Sequence, residues 1–112
     1  MKPVWTKEVD EILGIGIQLS EIGLSNWALT KSQAMHALEQ LEALKISILG
    51  GDVCQYIDGV IKPNYDSWYC EPISTEPKSE FLNRSIAKAK KYMELYQAKE
   101  PDKVFFVLVP DI

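Results

Sequence analysis

Few residues of this chain could carry out acid–base, nucleophilic or metal chemistry. The sequence contains a single histidine, His36, and two cysteines, Cys54 and Cys70. A histidine can act as a general base near neutral pH, but no serine or cysteine stands near His36 in a recognisable catalytic pattern. Structural zinc takes four nitrogen or sulfur ligands, and two cysteines sixteen positions apart with one histidine do not supply them. We therefore expect no catalytic residue, no metal and no cofactor.

The cysteines and a pair of glycines have plain structural interpretations. No basic residue close in sequence argues for a reactive thiolate at either cysteine, and a reducing cytosol would leave both as thiols. Cys54 falls in a predicted strand, where a small apolar side chain suits the core. Gly50-Gly51 lacks the lysine and the following helix of a phosphate-binding loop. The pair therefore indicates a bulge or a close approach of two backbones.

Acidic and aromatic side chains are concentrated in residues 50–76. This stretch has five acidic residues and one lysine, so its net charge of −4 equals that of the whole chain. The acidic residues are Asp52, Asp58, Asp66, Glu71 and Glu76, and the aromatic residues are Tyr56, Tyr65, Trp68 and Tyr69. Such a mixture on connecting segments favours a protein-binding patch against a basic surface. The alternative is that Trp68 and one or two tyrosines fill the core beneath a long loop.

The spacing of apolar residues predicts three helices that would support these side chains. The first covers residues 6 to about 22, is weakened by two internal glycines, and ends at Gly23. The second begins at a capping box made by Thr30 and Gln33 and ends near Lys45. The third has Ser79 as its N-cap and runs to about residue 97.

Between the second and third helices, and again after the third, the pattern changes to strands. The predicted strands cover residues 46–49, 52–57, 60–62, 67–69 and 103–109. Asp58-Gly59 predicts a two-residue hairpin turn, and Pro63 is expected to stop the strand that follows it. Residues 64–77 are expected to be irregular apart from the short strand within them. The last strand is almost wholly apolar, which is typical of a strand covered on both faces or central in a sheet.

These elements predict an α+β fold in one domain, residues 1–112. About three helices would pack on a small, mainly antiparallel sheet of three to four strands. The balance of 12 Lys and Arg against 16 Asp and Glu argues against nucleic acid as a partner, since phosphate binding uses basic residues. It suits a basic partner instead. With no secretory signal and no apolar run that could span a membrane, we expect a cytoplasmic protein without membrane contact.

Short sequences spread along the chain occur together in one known family. They are IG at 22–23, WALT at 27–30, AL at 37–38, ILGGDV at 48–53, PNYDSWYC at 63–70 and FVLV at 106–109. In this order and spacing they resemble the immunity protein 40 family, over about residues 8–109. The most specific parts of the resemblance are LGGDV at 49–53 and YDSWYC at 65–70.

Members of that family are assigned to bacterial polymorphic toxin and contact-dependent inhibition systems. The resemblance therefore implies a cytosolic protein that binds the toxin domain encoded beside it and blocks it. It brings no catalytic residues with it. The toxin contacts do not follow from the resemblance, and we predict them from charge and aromatic character.

The predicted toxin-binding residues are Asp52, Asp58, Tyr65, Asp66, Trp68, Tyr69 and Glu71. The aromatic residues would anchor the complex, and the acidic residues would steer and pair with a basic toxin C-terminal domain such as a nuclease. A monomer would bind one toxin domain. The alternative function is a small ligand-binding domain or enzyme, in which Asp52, Asp66, Tyr69 and His36 would converge in a cleft.

Overall fold

The computed structural model describes residues 6–20 and 23–111. Within these ranges it contains three α-helices and two antiparallel sheets. The elements are α1 (Lys7–Leu13), β1 (Ile17–Gln18), β2 (Trp27–Ala28), α2 (Lys31–Ala43), β3 (Ile48–Ile57), β4 (Val60–Tyr69), α3 (Lys78–Leu95) and β5 (Val104–Pro110). β1 and β2 form a two-stranded ribbon, and the larger sheet has the order β4-β3-β5. The predicted α+β class is confirmed.

The first helix is shorter than predicted. α1 begins after Thr6, whose hydroxyl accepts a hydrogen bond from the first helical turn, and it ends at Leu13. At Gly16 the backbone lies so close to Ala28 that a Cβ would collide with its carbonyl group. This close approach lets the segment pair as β1 with β2 instead of continuing the helix. Residue 22, the predicted end of the helix, lies outside the described residues.

The capping box predicted for the second helix is present. The Thr30 hydroxyl accepts a hydrogen bond from the Gln33 backbone N–H (3.2 Å), and the Gln33 side chain accepts one from the Thr30 backbone N–H (3.0 Å). Both bonds satisfy donors that a helix start leaves unpaired. The prediction for the third helix was wrong in detail, since Pro77 and not Ser79 is its N-cap, without a capping side chain.

β3 and β4 are each ten residues long and form a hairpin. β3 continues through Gly50-Gly51 and β4 continues through Pro63, so the gap predicted between strands 46–49 and 52–57 and the stop at Pro63 were wrong. The bulge or close backbone approach predicted for the glycine pair is confirmed, since the β3–β5 register shifts next to Gly50 and a Cβ there would collide with the Trp68 carbonyl.

Residues 64–66, which were predicted to be irregular, belong to β4, and the short strand predicted at 67–69 is confirmed as the last part of β4. β4 is an edge strand, where a proline is tolerated because its missing N–H can face solvent. The predicted turn is confirmed, with left-handed φ values of 53° at Asp58 and 79° at Gly59.

The larger sheet is covered on both faces. The helices pack on one face, where Val53, Trp68 and Phe106 belong to the main core. The ribbon covers part of the other face, where Cys54 and Phe105 belong to a second, smaller core. β5 is consequently buried from residue 104 to residue 108, which confirms the prediction of a strand covered on both faces.

The outer edge of β5 is partly paired. Phe106 exchanges two backbone hydrogen bonds with Leu29 (2.7 and 2.8 Å), and the Asn26 side chain donates to the Leu108 carbonyl (2.9 Å). β5 therefore presents little unpaired backbone. In the part of the chain that the structure describes, no helix is both long enough and apolar enough to cross a membrane.

Candidate functional site

The site is built around a bulge in β4. Between two regular pairs of the β3–β4 ladder, Val53 of β3 lies opposite three residues of β4, Asn64, Tyr65 and Asp66. The Asn64 side-chain carbonyl accepts a hydrogen bond from the Asp66 backbone N–H (2.9 Å), which closes a local turn. We call residues 64–66 the β4 bulge. Bulges of this kind bend a strand and redirect its side chains.

Tyr96, the residue that ends α3, ties the β4 bulge to the helical layer. Its hydroxyl donates to Asp66 Oδ2 (2.6 Å) and accepts from Asn64 Nδ2 (2.8 Å). Its ring packs edge-on against Phe106, with ring centroids 5.7 Å apart. Burial and the hydrogen bond to Asp66 raise the pKa of Tyr96 to about 12, so the hydroxyl keeps its proton at neutral pH. One side chain thus holds both ends of the bulge.

Tyr65, between these two held residues, is turned out into solvent. Its side chain is 90% exposed, and its φ of 69° lies in the left-handed region. That conformation costs a residue other than glycine about 1 kcal/mol or more. Backbone strain of this kind persists where the surrounding structure enforces it, and it is concentrated at functional positions. The bulge therefore presents an aromatic ring that the folded chain itself does not use.

Trp68 lies in the core and not on the surface. Its side chain is 4% exposed and stacks on Tyr92 of α3, with ring centroids 4.6 Å apart. The edge of its indole ring fills the space above Gly51, where a Cβ would collide with it. Of the two interpretations offered by the sequence, core filling describes Trp68, and an exposed anchor does not.

Asp52 and Tyr69 share the face of the sheet that points away from the helices. Both are exposed, Tyr69 to 71%. They border a cavity of about 120 Å³, together with Val109 and the backbone of Gly50-Gly51. This volume is well below the roughly 300 Å³ at which drug-sized ligand pockets begin. The two side chains therefore form an open surface with a shallow depression.

The cleft of the alternative function is not formed by these residues. Asp66 points to the helical side, where it meets Tyr96, whereas Asp52 points to the opposite side because side chains alternate along a strand. His36 is exposed on α2 and does not line the cavity next to Asp52. Among the described residues there is no group of three or more His, Cys, Asp and Glu that could hold a metal ion.

The two remaining predicted residues lie at opposite ends of the hairpin. Glu71 follows β4 directly and is exposed next to Tyr69. Asp58 is at the turn, eight positions along the strand from the Gly50 and Tyr69 pair, a span of about 26 Å. We call Asp52, Tyr65, Asp66, Tyr69 and Glu71 the β4 surface. Asp58 lies outside it.

An arginine that we did not predict shapes the loop beyond β4. The Arg84 guanidinium of α3 contacts both carboxylate oxygens of Glu76 (2.8 Å each), the Glu71 carbonyl (2.7 Å) and Cys70 Sγ (3.2 Å). The hydrogen bond from Arg84 lowers the pKa of the Glu76 carboxyl. Glu76 is thus paired within the chain, while the side chain of Glu71 stays exposed.

Basic residues border the helical side of the β4 surface. The Lys88 ammonium donates to the Tyr69 carbonyl at the edge of β4. Lys88 and Lys91 also line a groove of about 440 Å³ along α3, whose wall includes Tyr96. The acidic character of the β4 surface is therefore strongest on the side of Asp52. Tyr96, Arg84 and Lys88 escaped prediction because their partners are 8 to 32 positions away in sequence.

The family model of Immunity protein 40 matches residues 18–110. No curated protein and no solved structure matches the chain. The matched region runs from the end of β1 to the end of β5, so it contains the whole β4 surface together with Arg84, Lys88 and Tyr96. Because the match covers far more than half of the sequence, the chain belongs to the immunity protein 40 family.

Proposed function

We propose that this protein binds and neutralises a cognate bacterial toxin domain, and that it does so through the β4 surface. The observation that carries the proposal is Tyr65, an aromatic ring held 90% exposed in a strained backbone conformation by a hydrogen-bonded bulge. Tight interfaces depend on a few such rigid aromatic anchors. Tyr69, exposed on the neighbouring part of the strand, is the second aromatic contact.

The partner is a basic toxin C-terminal domain, such as a nuclease, bound one to one in the cytoplasm of the producing cell. Asp52 and Glu71 supply the negative field that attracts it. Lys88 and Lys91 lie on the helical side of β4 and would repel a basic domain. The toxin would therefore lie on the opposite face of the sheet, towards Asp52. Family membership supports the role, and the charge and exposure of the β4 surface support its location.

The test is growth rescue with the toxin domain encoded beside this gene. Cells that produce the toxin alone should stop growing, cells that also produce this protein should grow, and the two proteins should co-purify one to one. Tyr65→Ala should weaken both rescue and binding, whereas Glu39→Gln on the exposed face of α2 should not. An active toxin that the folded wild-type protein neither binds nor blocks would contradict the proposed function.

A further inference from the structure

The geometry of the β4 bulge points to a role for a residue that contributes no ring to the β4 surface. We infer that Tyr96 is a positioning residue for toxin binding: its hydroxyl fixes Asn64 and Asp66, and thereby sets the direction of Tyr65. This inference rests on the proposed function and adds to it the residue that holds Tyr65 in its binding orientation in the free protein.

Without Tyr96, the β4 bulge would be held only by its own hydrogen bond. The bulge adds two residues to β4. Because β4 is an edge strand, the bulge has no partner strand on its outer side. Its own hydrogen bond, from the Asp66 N–H to the Asn64 side chain, is exposed to water. Exposed hydrogen bonds of this kind open readily. A fixed left-handed Tyr65 therefore needs a further restraint from the body of the protein.

Tyr96 supplies this restraint and is itself rigid. Its hydroxyl bonds to both neighbours of Tyr65, to Asn64 through a partly buried hydrogen bond and to Asp66 through an exposed one. Its ring is held between Phe106 of β5 and Tyr92 of α3, with centroid distances of 5.7 and 5.8 Å. The hydroxyl is thus fixed to the core by the ring and to the bulge by two hydrogen bonds. A ring anchored before binding lowers the entropy that binding must overcome.

Asp66 has a role that Asp52 and Glu71 do not have, because it is hydrogen-bonded to Tyr96. One oxygen of its carboxylate already accepts from Tyr96 at 2.6 Å. Asp66 therefore holds the bulge in addition to carrying an exposed negative charge. An asparagine at this position would keep an oxygen acceptor for the Tyr96 hydroxyl, while an alanine would remove it.

The test compares toxin affinity across matched variants. Tyr96→Phe keeps the ring packing and removes only the hydroxyl, and it should weaken toxin binding about tenfold. Tyr92→Phe is the control, because it removes a hydroxyl one turn earlier on the same helix that makes no hydrogen bond within the described residues. It should bind as the wild type does. Asp66→Ala should bind at least as weakly as Tyr96→Phe, and Asp66→Asn should bind more tightly than Asp66→Ala, because it keeps the oxygen acceptor for the Tyr96 hydroxyl.

A double-mutant cycle separates positioning from a general loss of stability. If Tyr96 acts through Tyr65, then adding Tyr96→Phe to Tyr65→Ala should cause no further loss of affinity. An equal loss in both backgrounds would overturn the inference. So would a normal affinity of Tyr96→Phe when Tyr65→Ala binds weakly, and that result would leave the proposed function standing.

The free protein gives a second test that needs no toxin. The ¹⁵N order parameters of residues 65 and 66 should be near 0.85 in the wild type and fall towards about 0.6 in Tyr96→Phe, as the bulge becomes mobile. Unchanged order parameters in Tyr96→Phe would overturn the inference even if the toxin partner proved to be wrong. The Tyr92→Phe control should keep the values of the wild type.

Discussion

At the scale of single residues, Tyr65 has an unfavourable backbone conformation and an exposed ring, which under the proposed function the toxin would cover. Its left-handed backbone is unfavourable for a tyrosine, and its ring lies almost wholly in water. A residue chosen for stability at this position would be glycine or asparagine, which adopt positive φ more easily. Tyr65 therefore marks a position where binding and stability favour different side chains.

Tyr65→Gly should separate these two properties. Because glycine relieves the strain at φ 69°, the free energy of unfolding should rise by up to about 1 kcal/mol, measured by urea denaturation. Toxin binding should fall at the same time, because the ring is lost. Tyr69→Gly is the matched control, since Tyr69 has no positive φ and glycine in a strand destabilises. Equal destabilisation by both variants would contradict the assignment of strain to Tyr65.

Cys54 illustrates how neighbours decide the chemistry of a side chain. Burial, and then the charge of Asp52, raise the pKa of the Cys54 thiol to about 11. Thiolate is the reactive form of cysteine, so Cys54 is unreactive at neutral pH. The sequence indicates the same outcome, because no basic residue lies near it.

At the scale of secondary-structure elements, Gly51 is the point where β3 and β4 must come together. Gly51→Ala places a Cβ against the Trp68 ring and the Val107 carbonyl, both of which are buried. The free energy of unfolding should fall by about 2 kcal/mol, as is typical of overpacked cores. Gly59→Ala in the hairpin turn meets no atom within 4 Å, so it should cost only the strain of its positive φ, about 1 kcal/mol. Denaturation of both variants measures the difference.

The loop between β4 and α3 should be sensitive to acid. The Arg84 guanidinium lowers the pKa of Glu76 in the folded state, so the pair stabilises the fold above the ordinary pKa of a glutamate. This stabilisation is lost as the pH falls through the lowered value. Glu76→Gln should therefore be less stable than the wild type at pH 7, and the difference should shrink towards pH 3. A difference that stays constant with pH would show that the charge of Glu76 is not involved.

The elements that could be predicted are those specified by neighbours in sequence. The capping box of Thr30 and Gln33 and the turn at Asp58-Gly59 each involve residues at most three positions apart, and both are confirmed. The continuation of β3 through Gly50-Gly51 was missed because it depends on Trp68, which packs against these glycines from the next strand. The sequence indicates a bulge or a close backbone approach at this pair, which is confirmed, but it does not indicate that the strand continues past the pair, because packing between strands decides that.

The same reasoning applies to the candidate site. Exposed aromatic and acidic residues could be proposed from composition, and Tyr65, Tyr69, Asp52 and Glu71 are all exposed. Which aromatic residues face the core could not be predicted, because β4 was expected to stop at Pro63 and its register against β3 depends on the bulge. The hydrogen bonds of Tyr96 to the bulge were not predictable either, since they join residues about thirty positions apart.

At the scale of the whole molecule, charge should act on the rate of association more than on the lifetime of the complex. Asp52→Asn combined with Glu71→Gln should lower the association rate constant at low salt, and the effect should fade as salt is added. Asp58→Asn should have a smaller effect that disappears first as salt is added, because Asp58 is about 26 Å from the Gly50 and Tyr69 pair and the screening length shortens to about 8 Å at physiological salt. Stopped-flow measurements at several salt concentrations test this order. Equal effects of all three residues would place the hairpin turn inside the interface.

The edges of the larger sheet have a consequence for the protein before it meets any partner. β4 is interrupted by Pro63 and by the β4 bulge, and Lys88 occupies the carbonyl of Tyr69. β5 is paired with Leu29 and Asn26. Neither edge offers a long row of free backbone groups to which a strand of another copy could add. Free molecules should therefore stay apart at high concentration and not join into fibres through their sheet edges.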